Sequence, residues 1–202
     1  DMIKSSSSKL FADDSAVFKV IENDHDRQLL QKDLTARKGE ETWQMSFNPT
    51  KCTVIRIAPR CRKIIDTTYS FHGHTLEVVV ASKYLGVTIT ESLTWVKHIG
   101  NITSKARRTL GFIRRNLREC MPPVKEASYK AMVHPQLENT ATVWHPYQLN
   151  HVNTLEQVQR RAARFVFKDY STKTPGCIYN MLKVIVYSYL ILKKMNERIT
   201  DS

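Results

Sequence analysis

The chain has 202 residues, 42% of them hydrophobic and 25% charged, with 31 Lys and Arg against 19 Asp and Glu and a formal net charge of +12. This balance excludes a disordered tail and an acidic protein, and the length allows one ordinary domain or two small ones. The longest apolar stretches, residues 76–81 and 184–192, fall short of the roughly 20 residues of a spanning helix.

In chain order, Lys9-Leu10-Phe11-Ala12 and Ser15-Ala16-Val17-Phe18-Lys19-Val20 flank Asp13-Asp14, a two-residue polar break that predicts a β-hairpin. Asn23-Asp24 then predicts a helix start, and residues 25–45 carry Leu29, Leu30 and Leu34 at helical spacing, with a weak or kinked stretch at residues 37–41. Asn48-Pro49 is a turn, and β-branched alternation predicts a strand over residues 51–57. Residues 67–72 and 75–80, divided at Gly73, form a second predicted hairpin, and residues 83–89 a strand bent at Gly86.

From there the period changes from 2 to 3.6. Leu93, Val96, Ile99, Ile102, Ala106, Leu110, Ile113 and Leu117 step by three or four residues along one helix face. Lys97, Lys105, Arg107, Arg108, Arg114, Arg115 and Arg118 fall mostly off that stripe. Pro122-Pro123 opens a helix over residues 124–133, where Pro is tolerated in the first turn. A shorter segment over 136–145 carries Trp144. Asn153 or Thr154 caps a helix through Leu155, Val158, Ala162, Phe165 and Val166, and residues 178–195 form a last apolar segment.

Charge follows the same division. Residues 1–80 hold 12 basic and 11 acidic side chains, and residues 81–202 hold 19 and 8. A polyanion-binding surface therefore belongs to the second part, the alternative being a solvated basic face. The first ten residues lack the apolar core of a signal peptide, which predicts an intracellular protein, nuclear or cytoplasmic and not secreted, or a piece of a longer one. Cys52, Cys61, Cys120 and Cys177 are widely spaced without a CxxC pair, which fits reduced thiols.

Asp13-Asp14 is the sharpest chemical signal. Carboxylates at a rigid hairpin corner can hold a hard divalent cation through oxygen, although most such pairs are only turns. Successive strand side chains point to opposite faces, so the two are not equal ligands, and Asp13 is the expected metal ligand with Asp14 supporting it. His72-Gly73-His74 has no neighbouring Cys or carboxylate at ligand spacing and is explained by a turn. No GxSxG, P-loop or GxGxxG is present, which leaves hydrolase, nucleotide-hydrolysing and dinucleotide-binding readings without support. Trp43, Trp95 and Trp144 each lie beside an apolar stripe and are expected in the core.

Leu10-Phe11-Ala12-Asp13-Asp14-Ser15 resembles the (F/Y)xDD signature of reverse transcriptases. Trp43-Gln44-Met45-Ser46-Phe47-Asn48-Pro49-Thr50-Lys51-Cys52 resembles the segment after the catalytic hairpin in non-LTR retrotransposon (LINE, jockey-like) reverse transcriptases. Lys83-Tyr84-Leu85-Gly86-Val87 is similar to their primer-grip turn, and Leu93-Thr94-Trp95 with His98-Ile99 to the start of their thumb. Val143-Trp144-His145-Pro146 and the run Leu155-Glu156-Gln157-Val158-Gln159-Arg160-Arg161-Ala162-Ala163-Arg164-Phe165 resemble the helical region behind it. The similarity covers residues 9–170 and is carried by the order of these matches.

The resemblance implies an α+β fold: the C-terminal part of a polymerase palm over residues 1–90, a helical thumb over 91–150 and a C-terminal helical region over 151–202. It implies that Asp13 and Asp14 are the acidic pair of an RNA-directed DNA polymerase that uses Mg²⁺ or Mn²⁺ in two-metal nucleotidyl transfer. Tyr84, Leu85 and Gly86 then lie against the primer end. Lys105, Arg107, Arg108, Arg114 and Arg115 contact phosphates of an RNA template and DNA primer duplex. The family's other palm Asp and its fingers residues precede the hairpin and have no counterpart here, so residues 1–202 alone are expected to be inactive. The rival expectations are a non-enzymatic nucleic-acid-binding remnant of such an element and a protein whose basic helices bind an acidic partner.

Overall fold

A computed structural model describes residues 6–12, 14–36, 47–58, 67–168 and 170. It divides into two units, Asp1–Thr94 and Trp95–Ser202. Strands occupy the first and long helices the second, a mixed α and β content.

In the first unit β1 (Ser7–Phe11) and β2 (Asp14–Phe18) pair antiparallel, with Phe11 opposite Asp14 and Ser7 opposite Phe18. The two-residue connection is one position earlier than predicted, so Asp14 opens β2 and does not belong to the turn. Ala12 takes φ 51, the left-handed backbone that a two-residue hairpin needs to match strand twist. In an L-residue that conformation costs about 1–2 kcal/mol.

Helix α1 (Asp24–Thr35) begins where predicted. Asn23 Oδ1 accepts from the Asp26 backbone N–H at 2.9 Å, while Asp26 Oδ2 accepts from the Asn23 N–H at 3.3 Å, a reciprocal capping box. The helix closes at Ala36, and the predicted continuation over residues 37–45 lies outside the described residues. Leu30 and Leu34 pack with Phe47, Cys52 and Val54 on a small core of Tyr69, Phe71 and Leu76. Gln31 fastens the helix to β4 (Ser70–Phe71), donating from Nε2 to Ser70 O at 2.8 Å and accepting from Ser70 N at 2.9 Å. Burial pushes the Tyr69 phenol above its usual range, and the positive charges of Arg27 and Arg56 oppose that shift.

The remaining strands are shorter than their sequence patterns. Only Thr53–Val54 of the predicted residues 51–57 is a strand, β3. β4 and β5 (His74–Thr75) form the expected hairpin around His72-Gly73, at φ 48 and 77. The chain then leaves that hairpin, and β6 (Glu77–Val78) pairs parallel with β3. Residues 83–89 are not one bent strand. β7 (Ala81–Tyr84) and β8 (Val87–Thr90) are two antiparallel strands turning at Leu85-Gly86, with φ 47 and 86. Gly supplies the second left-handed position without a Cβ penalty, and that lets the chain reverse where alternation alone suggests a bend. Among the described residues the strands form four separate two-stranded pairings.

Among the described residues the second unit is helical: α2 (Val96–Asn116), α3 (Pro122–Met132), α4 (His134–Glu138), α5 (Ala141–Trp144) and α6 (Leu149–Phe167). The segment predicted over 136–145 is thus split in two. α2 packs chiefly on α6 and α4. Ile99, Ala106, Leu110 and Ile113 are buried as the stripe predicts, but Leu93 and Val96 at its start are exposed. Ala106, Ala162 and Ala163 are fully buried, and such small side chains let packed helices approach closely. α6 starts at Leu149, ahead of the predicted caps, because His151, Val152 and Leu155 extend its buried face by a turn. Thr154 is helical and its Oγ1 donates back to Asn150 O at 2.7 Å. Among the described residues no helix is long and apolar enough to cross a membrane. The predicted segment over 178–195 lies outside them.

Candidate nucleic-acid interface and acidic hairpin

The predicted site residues fall in three places. Asp13 lies outside the described residues; Asp14 is exposed at the start of β2, opposite Phe11. The hairpin around it is uncovered among the described residues, with Leu10, Phe11 and Phe18 all more than half exposed. Asp14 by itself supplies one carboxylate, whereas Mg²⁺ sites take one or two carboxylates together with waters and substrate phosphates in octahedral geometry. No three His, Cys, Asp or Glu side chains gather at ligand distance among the described residues, which leave out Asp13.

Tyr84, Leu85 and Gly86 are the end of β7 and the turn that follows. Leu85 is exposed at the tip, and both turn residues hold left-handed backbone. Among the described residues the strand pairing does not join this hairpin to β1 and β2 in one sheet.

The cations of the second unit are arranged by α2 and α6. At 3.6 residues per turn, Arg108 and Arg115, seven apart, share a row opposite the buried stripe. Arg107, Gly111 and Arg114 step by four and three along a second row beside α6, and Arg118 follows in the turn past the helix end. Arg107 Nη2 donates to Gln157 Oε1 at 3.3 Å. Further along, Lys168 Nζ lies 3.7 Å from Glu119 Oε2. Both contacts keep nearly the same offset in numbering, so α2 and α6 run in the same sense with basic side chains along their shared margin. Lys105 is exposed on the other flank of α2. Among the described residues none of Lys105, Arg107, Arg108, Arg114 and Arg115 pairs with a carboxylate. Arg160 differs, because its Nη2 is 2.7 Å from the buried Glu156 carboxylate.

The three tryptophans separate. Trp144 is buried, its Nε1–H donating to Asn139 O at 2.8 Å, with its ring 5.2 Å from that of His98. Trp95 is only partly buried at the start of α2, and Trp43 lies outside the described residues. Burial holds the His98 imidazole below its ordinary range. Burial also pushes the Tyr129 phenol upward, and the nearby Glu138 carboxylate adds to the shift. Cys52 and Cys120 form no disulfide among the described residues, and the Cys52 thiol donates to Asn48 O at 3.4 Å, while Cys61 and Cys177 lie outside them. His72 and His74 flank the tip of a hairpin, as the turn explanation requires.

Sequence reasoning missed three of the buried polar groups of the helical unit, Lys125, Glu156 and Gln159. The signal was available in their spacing. Lys125 precedes the buried Tyr129 by four residues and Val133 by eight. Glu156 and Gln159 fall between the buried Val152 and Ala163 in steps of four, three and four, so they share that helix face.

Compared with protein-family models, with curated proteins and with solved structures, the chain gives no match.

Proposed function

We propose that the chain is part of an RNA-directed DNA polymerase of the non-LTR retrotransposon type, holding the acidic hairpin, the primer-grip turn and the duplex-binding helices. The observation that carries this reading is the pairing of Phe11 with Asp14 at the turn end of an antiparallel hairpin, with the other family-like segments following in order of sequence. The cations of α2, which meet no carboxylate among the described residues, support its nucleic-acid arm, since clustered Lys and Arg neutralise backbone phosphates without reading sequence. In this reading Tyr84, Leu85 and Gly86 meet the primer end. Mg²⁺ or Mn²⁺ enters on the resemblance alone, with Asp13 and Asp14 giving part of its ligand set.

The test is a chimera in which residues 9–170 replace the matching region of an active jockey-like reverse transcriptase. It should extend a primer on RNA in Mg²⁺ buffer, lose extension with Asp13→Ala, and keep duplex binding. Residues 1–202 alone should bind duplex and extend nothing. A folded chimera that binds primed RNA and fails to extend it overturns the enzymatic reading. The remaining alternative, a non-enzymatic nucleic-acid-binding remnant, rests on the α2 cations without the hairpin.

A further inference from the structure

Lys125 is fully buried in the first turn of α3, and its Nζ has no hydrogen-bond partner among the described residues. An ammonium carries three donors and no acceptor, and burying one without a carboxylate is among the costlier things a fold can do. The nearest compensation is the Phe165 ring, whose centroid is 5.1 Å from Nζ. The first turn of a helix is also its electropositive end, which opposes a cation there.

Lys125 forms part of the wall of a cavity of about 790 Å³ near the C-terminal ends of α2 and α6. Among the described residues, Arg114, Arg115, Arg118 and Lys168 also line it, against one carboxylate, Glu119. Glu119 is turned to water: its oxygens lie 3.4 Å from Arg118 Nε and 3.7 Å from Lys168 Nζ, with its side chain 82% exposed. The four outer cations are explained by the electronegative C-termini of α2 and α6. Lys125 is not, and it is the group that marks the cavity as built for a negative ligand. The volume lies within the range of small-ligand sites.

We propose that this cavity binds a phosphate anion of two or more charges, with Lys125 at its base and Arg114, Arg115, Arg118 and Lys168 around its mouth. Such a group belongs either to a free polyphosphate or nucleotide, or to the phosphorylated end of a nucleic-acid strand. The assignment does not rest on the polymerase reading, because it follows from the buried ammonium and the charge of the lining.

The test is calorimetric titration of the full chain with inorganic pyrophosphate at low salt. Lys125→Met keeps the stem and its contact with Phe165 and removes the charge; it should weaken pyrophosphate by about ten-fold or more, the worth of one charged hydrogen bond. Lys130→Met should leave the affinity unchanged, since Lys130 is outside the cavity and pairs with Glu126 at 2.7 Å. If circular dichroism shows that Lys125→Met is unfolded, Arg118→Gln, a change at an exposed position, should still weaken binding several-fold. A parallel titration with 5′-phosphorylated and 5′-hydroxyl oligothymidylate separates the sources. Preference for pyrophosphate assigns a free phosphate compound, and preference for the phosphorylated strand assigns a strand end. Either preference supports the site. Equal pyrophosphate affinity of the native chain, folded Lys125→Met and Arg118→Gln overturns it, as does failure of all three probes to bind. Pyrophosphate binding without duplex binding leaves the cavity assignment standing and removes the nucleic-acid arm of the polymerase reading.

Discussion

The salt dependence of duplex binding gives the most direct measure of the helical unit. Neutralising Z phosphates gives a slope of log K against log salt of about −0.9Z. The five cations Lys105, Arg107, Arg108, Arg114 and Arg115 have no carboxylate partner among the described residues, and the partner of Arg107 is the neutral amide of Gln157. If all five meet phosphate, Z is about five and the slope about −4.5. Raising salt about fourfold, from about 50 to 200 mM, should then weaken binding about 500-fold. Arg108 and Arg115 occupy the outermost row of α2 and are exposed, so the pair Arg108→Gln, Arg115→Gln should leave the fold intact and reduce the slope to about −2.7. The same salt step then costs about 40-fold. Fluorescence anisotropy with a labelled DNA primer on RNA reads both slopes. A native slope shallower than about −2, or a double variant with an unchanged slope, refutes the assignment of these cations to phosphate.

Three further outcomes test the packing. Trp144→Ala should cost about 3–5 kcal/mol in denaturant unfolding of the helical unit, and Trp144→Phe about 1–2, because Phe fills part of the site but cannot donate to Asn139 O. Gly73 has φ +77 with nothing within 4 Å of a built Cβ, so Gly73→Ala should cost only the left-handed strain, about 1–2 kcal/mol, and Gly73→Asn less, since Asn tolerates that region; equal losses would refute the backbone account. The lowered folded-state affinity of His98 for protons means that the unfolded chain protonates first. Its stability is full above the ordinary His range near 6.5 and is lost as pH falls toward the lower folded value. Thermal unfolding should thus fall in midpoint between about pH 7.5 and 5.5, and His98→Phe should flatten that fall.

Much of the local structure is legible because it is encoded over a few residues. Asn23 with Asp26 three positions later states a helix start without any tertiary help, and Pro122-Pro123 does the same for α3. The apolar stripe through Ile99, Ala106, Leu110 and Ile113 states which face of α2 is buried. Sequence and structure part where one pattern has two solutions. Alternation over residues 83–89 is common to a bent strand and to a hairpin, and two consecutive left-handed residues, Leu85 and Gly86, select the hairpin. Residues 75–80 satisfy hairpin continuation equally well, yet β6 finds β3 as its partner. The strong capping preference of Asn153 and Thr154 places the start of α6 too late, and burial of His151 and Val152 outweighs it.

By itself the sequence determined the strand-to-helix order, the capped start of α1, the proline-opened start of α3, the buried stripe of α2 and the concentration of positive charge after residue 80, all consequences of periodicity and composition. The candidate acidic hairpin is equally a sequence property, since two adjacent aspartates between apolar runs need no fold to be seen. Only the tertiary structure decided which cations lie together. The rows of α2 meet α6 because the two helices run in the same sense. Lys125, one basic residue among 31, shares the spacing of the buried Tyr129 and Val133, but that its ammonium meets no hydrogen-bond partner among the described residues depends on neighbours distant in sequence.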